Sequence, residues 1–234
     1  MAPWTIELQD EVAVLGRDDG KANAVLSEDF HALEAALDEV ERSAARAVVL
    51  MGRPGFFSAG LNLKALATLS LEGKRALVSD MGSAVLKLFL FPRPVVAAVG
   101  GHALGAGAMF GLAADVRIFG DGPFKFGLNE VPAGLFVPTY AIELAAAAVS
   151  GSRLTELVVH GRVLSPMEAL TMHVAEAVHA TDSLRTAALL RARSLAALSG
   201  PGYAMTKRLV RGPAVERARA RLPAELEALA SLMG

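Results

Sequence analysis

The chain has 234 residues, enough for one domain with a sizeable buried core, and 53% of them are hydrophobic, for a mean hydropathy of +0.42. Twenty-three basic residues against 24 acidic ones leave a net charge of −1, which offers no electrostatic footprint for nucleic acid. The absence of cysteine excludes a disulfide framework, a thiolate metal site and a thiol nucleophile.

Apolar and polar residues alternate at the N-terminus, predicting strands over Trp4–Gln9 and Val12–Gly16 with a turn at Asp10–Glu11. The pattern is that of a strand, not of a signal peptide, and implies a cytoplasmic location. A polar turn over Arg17–Lys21 leads to a helix opening at Ser27, with Glu28 and Asp29 placed to favour its dipole. Ala47–Met51 is a short apolar strand ended by Gly-Arg-Pro-Gly, residues 72–91 read as a helix, and Pro92 and Pro94 bracket the start of the strand Val95–Val99. The uncharged stretch 95–114 is long enough to test as a membrane span and even has the Gly-xxx-Gly spacing of a helix-dimer face. Its glycines, His102 and clustered β-branched residues instead predict a strand, a glycine turn and a short buried helix.

Val116–Phe119 is a further strand, followed by a turn at Gly120–Pro123 and an extended segment Phe124–Gly127. From about residue 137 the pattern is almost wholly helical, with Ser165-Pro-Met-Glu168 forming a capping box. Lys207, Arg208 and Arg211 read as a solvated helix face, with contact to a ligand phosphate as the alternative. There is no internal repeat and no low-complexity linker. Strand and helix alternate first and helices follow, which is an α/β organisation. Residues 1–190 make the core, and 191–234 a helical C-terminal segment of the same domain.

Three segments carry chemistry. Phe56–Leu63 runs from a strand end through Ser-Ala-Gly into a helix near Asn62, and Gly105-Ala-Gly107 makes a second strand-to-helix turn. Small residues admit a ligand close to the backbone, and two such turns can aim two N–H groups at one carbonyl oxygen. The second turn also approximates a dinucleotide fingerprint with Asp121, but Gly111 is one position late and the unit begins in mid-chain. Glu130 stands in the otherwise apolar stretch 124-FKFGLNEVPAG-134, where burial would raise its pKa toward values useful for proton transfer. His102, His160, His173 and His179 have no metal-binding spacing, and no metal site is expected.

In this order the segments resemble the crotonase superfamily, the enoyl-CoA hydratases and isomerases, from about Ile6 to Ala180. Gly20-Lys-Ala-Asn-Ala24 is similar to the family segment that contacts coenzyme A. Phe57-Ser-Ala-Gly-Leu-Asn-Leu63 resembles the FSAGxDL motif with Asn62 in place of Asp, and Gly101–Gly107 resembles the second motif. The resemblance implies a crotonase-like spiral of ββα units with a helical C-terminal region, assembled as a homotrimer or a dimer of trimers. It implies an oxyanion hole from the N–H groups of Ala59 and Ala106. The substrate, an acyl-CoA thioester, would be held by Lys21, Ala22, Asn23, Ala59, Gly60, Leu61, Asn62, Leu63, Gly105, Met109 and Asn129. Coenzyme A is then part of the substrate, and no separate cofactor is needed. Beyond residue 200 the aromatic-and-lysine motif of the hydratases has no clear counterpart.

Hydratases of the family carry two glutamates. Met109 occupies the place of the first and Glu130 that of the second, and Gly127-Leu-Asn-Glu130 is similar to the Δ3-Δ2-enoyl-CoA isomerases. The expectation is therefore an isomerase with Glu130 as its single acid–base. A hydratase, dehydratase or decarboxylase of the same superfamily, or a non-catalytic acyl-CoA-binding subunit, are the alternatives.

Overall fold

The computed structural model describes residues 4–233, with side chains to residue 229. Strands β1 (Thr5–Gln9) and β2 (Val12–Gly16) form an antiparallel hairpin, and α1 (Ser27–Arg42) follows. Three turns of one geometry come next. The first is β3 (Ala47–Met51), β4 (Gly55–Ser58) and the helices α2 (Leu63–Leu66) and α3 (Leu71–Phe89). The second is β5 (Val95–Val99), β6 (Gly101–Leu104) and α4 (Ala106–Ala113). The third is β7 (Val116–Gly120), β8 (Phe126–Gly127), a 3-10 turn at Val131–Ala133 and α5 (Thr139–Ala148). One-turn α6 (Ser152–Leu154), a π-helical turn at Thr155–Val159, α7 (Pro166–Thr171), β9 (Ala177–His179), α8 (Leu184–Ala196) and α9 (Gly200–Met233) complete the chain.

In each turn the first strand joins a six-stranded sheet, ordered β1-β2-β3-β5-β7-β9, and the second joins a three-stranded sheet, ordered β4-β6-β8. Apart from the β1–β2 hairpin, every pair of these named strands is parallel. This is the ββα spiral that the resemblance implied, and its repeat is geometric, with no trace in the residues.

Side chains of the large sheet alternate between two cores, as the period of a strand requires. Val48 and Leu50 of β3, with Val95, Ala97 and Val99 of β5, face the main core with α1, α3 and α4. Ala47, Val49, Val96 and Ala98 face a second core closed by Leu184, Ala188 and Ala192 of α8. Both faces are covered, so the central strands read as continuous apolar runs. Residue 190, where the sequence places the change to the C-terminal segment, lies inside α8.

Four readings need correction. The helical C-terminal third contains a strand, β9, which extends the large sheet beside β7. Of the expected extended segment 124–127, Phe126–Gly127 form the strand while the Lys125 carbonyl accepts from the Ala103 N–H at 2.8 Å, and Gly101–Leu104 is a strand of its own. Arg17, at the start of the expected polar turn, is buried: its Nη2 donates to Asp29 Oδ1 at 2.7 Å, with the side chains 4% and 9% exposed. The other Asp29 oxygen accepts from the Leu26 N–H at 2.9 Å and so fixes the start of α1. Lys207 and Arg211 are not on a solvated face either. Lys207 Nζ lies 2.8 Å from one oxygen of Asp115 and Arg211 Nη1 3.0 Å from the other.

Asp115 accepts a third bond, from the Val95 N–H at 2.7 Å. Arg211 also donates to the carbonyls of Phe89 and Ala113, at the C-terminal ends of α3 and α4, where a cation is favoured by the helix dipoles. Its guanidinium stacks 4.2 Å from the Phe89 ring centroid. Burial brings the Lys207 ammonium down to about 8, against the opposing pull of Asp115. Asp115→Asn would leave two buried cations without a counter-charge, and should cost about 3–5 kcal/mol in a urea-unfolding measurement. A variant as stable as the parent would show that α9 docks by apolar packing alone.

Candidate active site

The pocket lies where the turn after β4 meets the turn after β6, and it encloses about 900 Å³ of space including its open mouth. Ala59, Gly60, Leu61 and Leu63 line one wall, Gly105, Ala106 and Met109 a second, and Asn129 and Glu130 a third. Nine of the residues expected at the site thus come together from three turns of the spiral.

The two turns touch because their glycines lack side chains. A Cβ on Gly60 would stand 2.5 Å from the Leu104 carbonyl oxygen, and one on Gly107 would stand 2.1 Å from that of Ser58. Gly60 also has φ +87°, a region that L-residues rarely adopt. The first turn is bonded on its rear side: the Val25 N–H donates to the Gly60 carbonyl at 2.9 Å, and the Asn62 N–H to the Val25 carbonyl at 3.0 Å. This leaves the N–H of Leu61, a residue of the pocket lining, without an acceptor among the described residues. In the second turn Ala106 is the first residue of α4, and its N–H is one of the donors that a helix start leaves unused.

This geometry corrects the expected oxyanion pair. The Ala59 N–H donates to the Ala22 carbonyl at 2.9 Å and is already engaged. Ala59 lines the pocket, but the first free donor is at Leu61, two residues on. The segment expected to touch coenzyme A stands behind this turn, outside the pocket lining. Asn23 is fully buried, and its amide donates to the carbonyls of Arg17, Phe56 and Phe57, at 2.8, 3.2 and 3.3 Å. Ala22 buttresses Ala59 through its carbonyl, and Lys21 is exposed. Asn62 caps α2, its side chain accepting from the Ala65 N–H at 3.2 Å, and does not line the pocket either.

Glu130 sits just past β8, at the head of the 3-10 turn, and its own carbonyl accepts from Ala133 and Leu135 at 3.0 and 2.9 Å. Its Oε1 points to Gly105, 3.4 Å from where a Cβ there would be, and its Oε2 is buried with no hydrogen-bond partner. Burial pushes the Glu130 carboxyl above the usual carboxylate range, opposed only by a hydrogen bond from its own backbone. Among the described residues it is the only carboxylate lining the pocket. Met109, 1% exposed in the middle of α4, supplies a thioether to the neighbouring wall.

Sequence reading missed the remainder of the lining. Lys74, Val78 and Met81 form one stripe of α3, at spacings of four and three that a helical pattern could have flagged. Leu135, Phe136 and Pro138 follow Glu130, while Leu229 arrives from the far end of α9, which no local signal could indicate.

The enoyl-CoA hydratase/isomerase family model matches residues 7–233. A probable enoyl-CoA hydratase of Mycobacterium tuberculosis, EchA17, is 36% identical over 184 residues, which is 78% of this chain and 69% of that protein. An enoyl-CoA hydratase/isomerase family protein from Pseudomonas syringae superposes with a TM-score of 0.91 at 31% identity, covering 97% of both chains. Human mitochondrial Δ3-Δ2-enoyl-CoA isomerase shares the fold, with a TM-score of 0.94 at 23% identity over 99% of this chain and 92% of its own. Matched almost end to end by the family model, and folded as the spiral on which these relatives are built, the chain belongs to the enoyl-CoA hydratase/isomerase family.

Proposed function

We propose that the protein is an enoyl-CoA isomerase that shifts a double bond from C3 to C2 of an acyl thioester. The observation that carries this reading is Glu130: one buried carboxylate, one of its oxygens unpaired, facing a wall where Met109 provides no second acid or base. The Glu130 carboxylate takes a proton from C2, and the electron pair of that C–H bond moves toward the thioester carbonyl to give a dienolate. The Leu61 and Ala106 N–H groups hold the oxygen on which the charge collects. Glu130, now neutral, returns the proton to C4, and the double bond re-forms between C2 and C3. One carrier serves both ends of the allylic system. Hydration, by contrast, needs a water to be oriented and deprotonated as well, which a thioether cannot do. The apolar side chains of Leu66, Val78, Met81, Leu135 and Phe136 suit a hydrocarbon acyl group.

Glu130→Gln keeps the shape and removes the proton carrier, so conversion of 3-enoyl-CoA should fall by roughly 10²-fold or more while thioester binding persists. In the parent, the acid limb of kcat/KM should lie above the ordinary glutamate value of 4.5, because the base must be ionised and burial resists ionisation. The same raised pKa fixes the sign of a stability effect. The fold keeps its full stability below 4.5, where Glu130 is protonated in both states, and loses some as pH rises through the higher folded-state value. Glu130→Gln should therefore raise the melting temperature at neutral pH, with the gain vanishing below pH 4.5. An inactive variant with no such gain would mean that Glu130 is solvated rather than buried.

Ala106→Pro tests the second donor. Proline is tolerated at the first position of a helix, so α4 should persist by circular dichroism while one N–H is deleted. Loss of a single oxyanion donor typically costs about 10²–10³ in kcat. A folded variant with full turnover would place the thioester oxygen elsewhere.

Hydration is the second reading, favoured by the mycobacterial relative's designation as a probable hydratase. Incubating the protein with matched 2-enoyl- and 3-enoyl-CoAs separates the two: 3-hydroxyacyl-CoA should form far more slowly than the double bond moves. Hydration at an equal or greater rate would overturn the single-carboxylate mechanism.

A further inference from the structure

One wall of the pocket is supplied by the far end of α9. Leu229 is buried and lines the cavity together with Lys74, Val78 and Pro138. Two hydrogen-bonded ties fix the helical turns that carry it. The Arg75 Nε donates to the Leu226 carbonyl at 2.9 Å and joins α9 to α3 beside Lys74. The two Glu225 oxygens accept from the Thr139 N–H at 3.1 and 3.2 Å, and one of them also from the Thr139 hydroxyl. This second tie joins α9 to the first residue of α5, beside Pro138. Each tie therefore lands next to a residue of the lining.

Helix geometry places Leu229 under the control of these ties. Leu222, Glu225, Leu226 and Leu229 have the spacing of one helix face, and Leu222 packs against the main core. Leu229 stands four residues past Glu225, about 6 Å along the axis. Pro223 lies inside α9 just before this segment. It has no N–H to give to the Arg219 carbonyl, so the helix lacks one of its own bonds there. Residues 224–229 are thus joined to the rest of α9 less firmly than in an unbroken helix, and the ties to α3 and α5 supply the anchorage. What Leu229 brings to the cavity is size. It shares the lining with Leu66, Val78, Met81 and Leu135 and contributes neither charge nor hydrogen bond.

We propose that Leu229, latched by Glu225 and Arg75, sets the length of acyl chain that the pocket accepts. The inference rests on the acyl-CoA reading of the pocket but not on the double-bond shift. Each methylene that finds apolar surface adds roughly fourfold to affinity, and the gain stops where the chain meets a wall that is held in place.

The test is calorimetric binding of saturated straight-chain acyl-CoAs of increasing length, which cannot isomerise. In each protein affinity is expressed relative to the shortest member, so that losses common to all lengths cancel. The parent should show a length beyond which affinity stops rising. Leu229→Ala should move that limit to longer chains, raising the relative affinity of those just beyond it by roughly fourfold or more. Leu229→Phe should move the limit to shorter chains. A general loss of packing would shift both variants in one direction, so opposite shifts identify volume as the cause. Breaking both ties, in a Glu225→Ala and Arg75→Ala double variant, should move the limit as Leu229→Ala does. A limit unmoved by either Leu229 substitution, or moved the same way by both, overturns this inference alone. One that follows Leu229 but ignores the double variant overturns the latch. Failure of the parent to bind any of these thioesters would overturn the acyl-CoA reading and this inference with it.

Discussion

The close approach of two strand-to-helix turns is the constraint on which the site depends. Backbone packs directly on backbone where Gly60 meets Leu104 and where Gly107 meets Ser58, at separations that any Cβ would forbid. Only this contact brings the Leu61 and Ala106 N–H groups to one pocket from segments 45 residues apart in the chain. Because both turns are anchored from behind, the fold itself holds their N–H groups in place. The Val25 and Ala22 backbone holds the first, and the bond from the Gly105 N–H to the Gly127 carbonyl, at 3.0 Å, holds the second. Preorganised dipoles of this kind need no rearrangement as charge develops, which makes them effective in catalysis.

Glu130 is the opposite case, a group held where the fold would rather not have it. Its buried, unpaired oxygen resists ionisation, and among the described residues no cation offsets that cost. A carboxyl in such a position accepts a proton more readily than an exposed one, and a carrier that must both take and return a proton benefits from that. Under the proposed mechanism stability and proton transfer pull in different directions at this residue, a common outcome where activity depends on an unfavourable environment.

The pocket is completed from the far end of the chain. α9 is held down near its start by Lys207 and Arg211, which share the Asp115 carboxylate and occupy the C-terminal ends of α3 and α4. Near its other end the helix is tied to α3 by Arg75 and to α5 by Glu225, and it places Leu229 against the cavity. The same α3 that carries Lys74 and Val78 thus contacts the spiral on one side and the terminal helix on the other.

The sequence by itself determined the α/β order, the strands β2, β3, β5 and β7, the two small-residue turns and the solitary glutamate. These features are written in local patterns: apolar runs, glycine positions, and an acid among hydrophobic neighbours. It could not decide which N–H in Ser58–Leu61 is free, because that depends on hydrogen bonds from residues 22–25, and the donor moved from Ala59 to Leu61. Nor could it show that Asn23 serves the backbone rather than a ligand, or that Arg17, Lys207 and Arg211 are buried, since their partners Asp29 and Asp115 are 12 to 96 residues away in the chain. β9 escaped notice because three residues cannot display a period, and its pairing comes entirely from β7. Periodicity and composition report what each segment can do alone. Burial, donor availability and the company of Leu229 are properties of surfaces that exist only once distant segments have packed, and the tertiary structure alone decided them.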